Sequence, residues 1–382
     1  MFRDSRLLVL LAAGSLTTMA GGVVAPVLPD MVDQLHLDPA FAGNLVSIHC
    51  LTIGLFSPPL GILADRIGRL RVLIPCLILY AVFGIAGTFF QGLVPLLVVR
   101  GLLGAASGGI AAASLGLLGS MYEGEARSQA LGYATSTLTI TGIAFPLLGG
   151  WVGASNWEFA FYLYGIGIPL AFLSAVSLGE IQKSQPKAVA KDSGSKLKSV
   201  LVDAYTLRLL FTLALASVAM YAVVIYAPLY LKTAINADAL VNGIVLASRA
   251  IGAALISAFG AKWLAEKIGA APATAFGFGL MAATLITIPV LHELSGILLT
   301  AVCFGVGFGL VLPTLYSTLA NLAPSDLRSS VLAAGTGAGF LGQFLSPIFL
   351  GPVLGWGGWE GVFYAAAVVA MLAGLLLFAP RG

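Results

Sequence analysis

The sequence predicts an all-α membrane protein with twelve transmembrane helices in two six-helix bundles. Three observations predict it. Of 382 residues, 59% are apolar and 9% charged, against about 25% charged in a soluble domain. The apolar residues fall into twelve runs of spanning length, and the second half repeats the punctuation of the first. Twelve crossings of about 20 residues use roughly 250 residues, which leaves no room for a large soluble domain. The high hydrophobicity excludes disorder, the net charge of +3 provides no nucleic-acid-binding patch, and three cysteines make no disulfide scaffold.

The first run, 7–29, exceeds the 7–15 apolar residues of a signal peptide and no small-x-small cleavage site follows it. The second and third, 41–63 and 72–90, carry Cys50 and Cys76 as small apolar packing residues. The fourth, 94–120, holds Arg100 about six residues in, roughly 9 Å deep. The fifth and sixth are 131–153 and 159–179. A polar stretch from Glu180 to Asp203, with Lys183, Lys187, Lys191, Lys196 and Lys198, reads as a solvated linker. The second half follows with 209–231, 239–259, 272–291, 295–320, 331–354 and 361–379, and Cys303 lies in the tenth run. Domain boundaries are therefore expected at 1–180, 181–203 and 204–382.

Charge sets the expected orientation. Sixteen of the 19 Lys and Arg lie on the side of the termini, Lys232 lies opposite, and Arg100 and Arg249 lie within spans. The positive-inside rule then puts both termini in the cytoplasm; the plasma (inner) membrane is the expected location.

A shift of 201 residues superimposes the halves. Leu63-Ala64-Asp65-Arg66-Ile67-Gly68 falls on Leu264-Ala265-Glu266-Lys267-Ile268-Gly269, Gly104 and Gly108 on Gly305 and Gly309, Pro146 on Pro347, and Gly150 on Gly351. One residue of slip aligns Trp157-Glu158 with Trp359-Glu360 and Phe161-Tyr162 with Phe363-Tyr364. Six spans per half make this a parallel repeat about an axis along the membrane normal.

The loop Gly61-Ile62-Leu63-Ala64-Asp65-Arg66-Ile67-Gly68-Arg69-Leu70-Arg71 resembles the signature G-x-L-A-D-R-x-G-R-[KR]-[KR] of the major facilitator superfamily, departing at Leu70. The resemblance covers the whole chain and implies alternating access between two bundles. Asp65 is expected to face the N-terminal end of the eleventh helix and Arg69 to pair with Glu123 or Glu125, a conformational latch that includes Gly61, Arg66 and Gly68. The alternative is that these charges anchor the loop in water. Arg100-Gly101-Leu102-Leu103-Gly104 is similar to the R-x-x-x-G of the twelve-span drug/proton antiporter branch, which implies a proton-coupling arginine. Asp30 is its nearest carboxylate; the alternative partner is the Gly22 carbonyl freed by Pro26. Gly142, Pro146, Gly149 and Gly150 are similar to part of that branch's G-x-x-x-G-P-x-x-G-G, and also read as small residues for close helix packing. Gly337-Ala338-Gly339-Phe340-Leu341-Gly342 satisfies a dinucleotide fingerprint, but inside a span it reads as helix packing.

His49 in the second span and Arg249 in the eighth, its repeat counterpart, lie about 12–15 Å into their spans, near the midplane. Cations without mid-span carboxylates favour a negatively charged or strongly accepting substrate. Tyr221, Tyr226, Tyr316 and Gln343 add donors and aromatic surface, and His49 and Asp30 join Arg100 as proton-coupling candidates. The expected function is secondary active export of an organic anion or amphipathic small molecule, with general multidrug/proton antiport as the alternative. A channel or a non-transporting receptor on the same fold is the reading from another class. No enzyme activity, cofactor or metal is expected, and no ATP-binding loop is present, so a gradient or the substrate itself supplies energy. The expected partners are the small-molecule substrate, protons and the lipid bilayer, without nucleic acid, for a monomer.

Overall fold

The computed structural model describes residues 4–179, 194–324 and 327–377. Every described element is helical, as a bilayer requires of backbone that finds no water to bond. The spans are α1 (Ser5–Gln34), α2 (Pro39–Ile67), α3 (Arg69–Phe89), α4 (Leu93–Met121), α5 (Gly124–Gly153), α6 (Glu158–Leu178), α7 (Ala204–Ile235), α8 (Ala239–Phe259), α9 (Ala270–Val290) and α10 (Leu294–Leu322). The segment Arg328–Leu376 is interrupted at Gly358, whose φ of 64° and ψ of −166° no helix contains, so it supplies α11 (328–357) and α12 (359–376). The count of twelve follows. Lys183, Lys187 and Lys191 of the linker lie outside the described residues, and Gly194–Val202 is a short helix.

The chain forms two compact units, residues 1–37, 44–189 and 238–243 in one, and 38–43, 190–237 and 244–382 in the other. In the first, α1 is not continuous: its α-helix ends at Gly22, a 3-10 turn runs Ala25–Val27, and the helix resumes at Leu28–Gln34. The cause is local, because Pro26 and Pro29 bring no N–H to the ladder. Tyr80 of α3 donates to the Leu16 carbonyl of α1 at 2.8 Å. An edge-to-face series joins Tyr80 to Tyr164 (5.4 Å), Tyr164 to Phe161 (6.0 Å) and Phe161 to Trp157 (5.5 Å).

In the second unit Tyr230 plays the comparable part. Its ring meets Phe363 at 5.7 Å and Trp359 at 6.5 Å, and its hydroxyl donates to the Pro289 carbonyl at 2.8 Å. The repeat read from Trp157/Trp359 and Phe161/Phe363 is therefore a repeat of packing roles.

Two glycine pairs set close helix approaches at matching places in the two units. A Cβ at Gly104 of α4 would lie 2.6 Å from the Cα of His49 on α2, and one at Gly108 would lie 3.0 Å from the Ile53 carbonyl. On α10, a Cβ at Gly305 would meet the Ala253 nitrogen at 2.9 Å and the Arg249 backbone, and one at Gly309 would meet the Ala253 Cα at 2.6 Å. Both crossings need bare backbone, since in lipid helices associate by close packing rather than by hydrophobic burial. The consequence for function is positional: the same device seats His49 in one unit and Arg249 in the other.

Candidate functional site

Arg100 is buried and fully engaged. Its Nε donates to the Leu45 carbonyl (2.9 Å), Nη1 to the Tyr164 hydroxyl (2.8 Å) and Nη2 to the Ala20 carbonyl (2.5 Å), which Tyr164 also donates to at 2.9 Å. The sequence pointed to Asp30 or to the Gly22 carbonyl; the arginine bonds the Leu45 and Ala20 carbonyls and Tyr164 instead. In the break of α1 the Val24 N–H bonds back to Gly21. That tightening from an i−4 to an i−3 bond leaves the Ala20 carbonyl without its ladder donor, and Arg100 and Tyr164 supply it. Asp30 is half-buried in the resumed stretch of α1.

His49 is buried beside this arginine on α2. Its Nε2 lies 3.4 Å from the Cys50 sulfur, and Nδ1 has no hydrogen-bond partner among the described residues.

The signature loop lies between α2 and α3, where Gly68 turns the chain at φ 106°. Asp65 and Arg69 pair with each other, Oδ1 to Nη2 at 3.0 Å and to Nε at 3.0 Å, and Arg69 also donates through Nη1 to the Gly116 carbonyl of α4. Arg69 is thus bound to Asp65 and to backbone rather than to Glu123 or Glu125, which are exposed at the start of α5. Only the Gly68 turn separates Asp65 from Arg69, and this local pairing wins over a longer reach. Arg66 is exposed, and a Cβ at Gly61 would lie 3.5 Å from the Ala112 Cβ. Beside the loop, Tyr122 donates to Asp4 at 2.7 Å, and burial together with that carboxylate pushes its hydroxyl up to about 12.

On α5, Pro146 is buried, a Cβ at Gly149 would lie 2.5 Å from the Cα of Val23, and one at Gly150 would lie 3.2 Å from the Cα of Gly243. Gly142 meets nothing within 4 Å. Buried Asn242 donates to the Pro26 carbonyl at 3.3 Å, a second bond to the broken segment of α1.

In the second unit Arg249 is half-buried, and its Nε has no hydrogen-bond partner among the described residues. It stands within electrostatic reach of Tyr221 on α7. Tyr316 donates to Thr336 of α11 at 3.4 Å, and Ser217 and Tyr316 both border Gly339. Tyr226 is fully buried, its hydroxyl 3.6 Å from where a Cβ on Gly351 would stand; Gln343 is half-buried on α11. The fold thus joins Tyr316 to Thr336 and puts Tyr226 in the packing of α7 on α11, with Tyr221 within electrostatic reach of Arg249. The fingerprint-like glycines are helical, with Gly342 against the Ala214 backbone.

Sequence reasoning missed three groups. Tyr164 and Asn242 bond the broken segment of α1, and nothing in their spacing marks them. Thr135, Thr137, Thr139 and Thr141 run along α5, each bonded to the carbonyl four residues back, and Thr141 meets Thr18 of α1 at 3.0 Å. Alternate threonines in an otherwise apolar run were the available signal.

A family model described as Major Facilitator Superfamily matches residues 10–347 and, in a second placement, 235–382. The chain belongs to the major facilitator superfamily. Among curated relatives, this facilitator is 24% identical over 319 residues to Multidrug resistance protein 1 of Bacillus subtilis (strain 168), covering 80% of this chain and 78% of that one. It is 22% identical over 333 residues to Quinolone resistance protein NorA of Staphylococcus aureus (strain COL), covering 86% and 85%. Its fold is similar to that of a bacterial homolog of the human lysosomal transporter Spinster, TM-score 0.81 at 16% identity over 98% of this chain and 96% of that one. It is also similar to a POT family transporter solved with 5-aminolevulinic acid, TM-score 0.78 at 14% identity over 97% and 94%. The facilitator is an integral, multi-pass membrane transporter of small molecules, homologous to multidrug efflux proteins.

Proposed function

We propose that this facilitator exports an amphipathic organic molecule carrying negative charge, by alternating access, from a cell whose cytoplasm holds both its termini. One observation carries the substrate class: Arg249 is a half-buried cation within a span, with an unengaged Nε and Tyr221 in reach. A guanidinium held there has lost hydration that an anion restores through paired hydrogen bonds. Described carboxylates, by contrast, sit at helix ends, beside breaks or in connections. The sixteen-to-one distribution of Lys and Arg supports the orientation and the plasma membrane. The reading is of a carrier rather than an enzyme or a channel.

The test uses one scaffold in two charge states, a fluorescent dye bearing a carboxylate and its methyl ester, in proteoliposomes. Saturable uptake and counterflow of the carboxylate in preference to the ester is the expected result. Unsaturable flux without counterflow would make the protein a channel, and preference for the ester would overturn the anion reading.

A second reading, general drug/proton antiport, is favoured by the names of the multidrug and quinolone resistance relatives. If protons drive transport, Asp30 and His49 are the side chains we propose to carry them. The double variant Asp30→Asn, His49→Gln is then expected to transport at the same rate with and without a pH gradient, whereas the parent is accelerated by one. Undiminished acceleration in the variant would place the proton elsewhere.

The Asp65–Arg69 pair holds the α2–α3 turn against α4, and the proposed latch works through that tie. Both partners are exposed in part, and such pairs contribute about 0–1 kcal/mol to folding. Asp65→Asn is therefore expected to leave the amount of folded protein unchanged and to lower the initial transport rate several-fold. A rate per folded molecule equal to the parent's would reduce the pair to a loop anchor.

A further inference from the structure

The second unit carries a surface the first lacks. The α2 helix runs unbroken to Ile67, but its repeat counterpart stops at Phe259, and after Gly260 the chain enters a separate eight-residue helix, Ala261–Ile268. Along this segment Leu255, Phe259 and Trp263 are exposed by 54%, 83% and 59%, at intervals of four residues, and Lys267 completes the series. Steps of four put Leu255 with Phe259 on one side of α8, and Trp263 with Lys267 on one side of the short helix after Gly260. The repeat positions of Phe259 and Trp263 are Pro58 and Ile62, so the aromatic pair belongs to this half alone.

The charges are arranged unequally. Lys262 pairs with Glu266 at 3.7 Å. Lys267 has no carboxylate partner among the described residues; its ammonium sits 4.8 Å from the centroid of the Trp263 ring. A cation over an indole at the membrane boundary keeps its outward N–H donors available, and an indole prefers the headgroup level. A phosphate at that level would find the ammonium and the acyl chain below it would find Phe259 and Leu255.

We propose that Trp263 and Lys267 form a binding site for an anionic phospholipid, its phosphate on the Lys267 ammonium and an acyl chain along Phe259 and Leu255. The site is independent of the substrate reading, since it needs no transport to be occupied.

The experiment reconstitutes the full chain in phosphatidylcholine vesicles and titrates in either dibrominated phosphatidylglycerol or dibrominated phosphatidylcholine, whose bromines quench nearby tryptophan. The Trp263 signal is the difference between the parent and Trp263→Phe. Half-quenching of that signal is expected at about fivefold lower mole fraction of the anionic lipid, the preference of one lysine near the surface. Lys267→Gln should abolish the preference while retaining quenching at high lipid, and Lys267→Arg should keep it. Equal quenching by both lipids in the parent, or an unchanged preference in Lys267→Gln, would overturn the proposal. So would displacement of the brominated lipid by millimolar inorganic phosphate, which would assign the site to a soluble anion.

Discussion

Arg249→Gln is expected to lower transport of the carboxylate dye about tenfold to a hundredfold and to leave that of its methyl ester within about twofold. The size follows from one charge-assisted interaction, about 1.5–3 kcal/mol when desolvated. The substitution keeps a hydrogen-bond donor and removes the charge, so the loss must follow substrate charge. Arg249→Lys should recover part of the rate, because an ammonium restores the charge but lacks the planar fork that grips both oxygens of a carboxylate. Rates are compared per folded molecule, from size-exclusion profiles of the detergent-extracted protein. Equal losses for acid and ester would make Arg249 a packing residue. The geometry speaks against that outcome, since its backbone, not its guanidinium, is what Gly305 packs against.

Arg100→Met is expected to have the opposite character, a loss of stability rather than of selectivity. The side chain makes three hydrogen bonds that join α1, α2 and α6. Methionine fills similar volume and returns none of them, leaving the Leu45 carbonyl and the Tyr164 ring without a cationic partner in a medium that offers no water. Losses of about 1–3 kcal/mol for each abandoned group predict a thermal midpoint in detergent lower by roughly 5–10 °C. Arg100→Lys should recover only part of it, since one ammonium cannot span carbonyls on two helices and a hydroxyl on a third. An unaltered midpoint combined with loss of pH-gradient dependence would instead make Arg100 a coupling residue. The two outcomes are measured on the same sample, so the assignment does not depend on how much protein folds.

The two arginines were alike in the sequence: each a lone cation in an apolar run. Their difference lies in what surrounds them, and here the limits of sequence reading become physical. Arg100 is satisfied by backbone carbonyls, and every residue has one; which of them is free depends on the ladder slipping from i−4 to i−3 at Val24. Pro26 marked a freed carbonyl in α1 but not the one that Arg100 takes. The partners of Arg69 were misjudged for a related reason. Opposite charges on neighbouring segments can pair in several ways, and the closeness of Asp65 to Arg69 across the Gly68 turn, with the Gly116 carbonyl alongside, decided among them.

The sequence by itself determined the class and the plan. Twelve runs long enough to cross a bilayer leave the chain no alternative to helices, because backbone groups in hydrocarbon must bond within their own segment. The 201-residue repeat, with Gly104 over Gly305 and Trp157 near Trp359, determined that the two halves reuse one packing scheme. What only the tertiary structure decided is which polar atoms are spent on the fold and which are left over. Arg100, Tyr164 and Asn242 are spent on mending α1, while Arg249 keeps Nε unengaged and Lys267 is left over Trp263. Hydrophobic pattern is a property of each segment and survives in one dimension. Hydrogen-bond satisfaction is a property of neighbours, and neighbours exist only once the helices have packed.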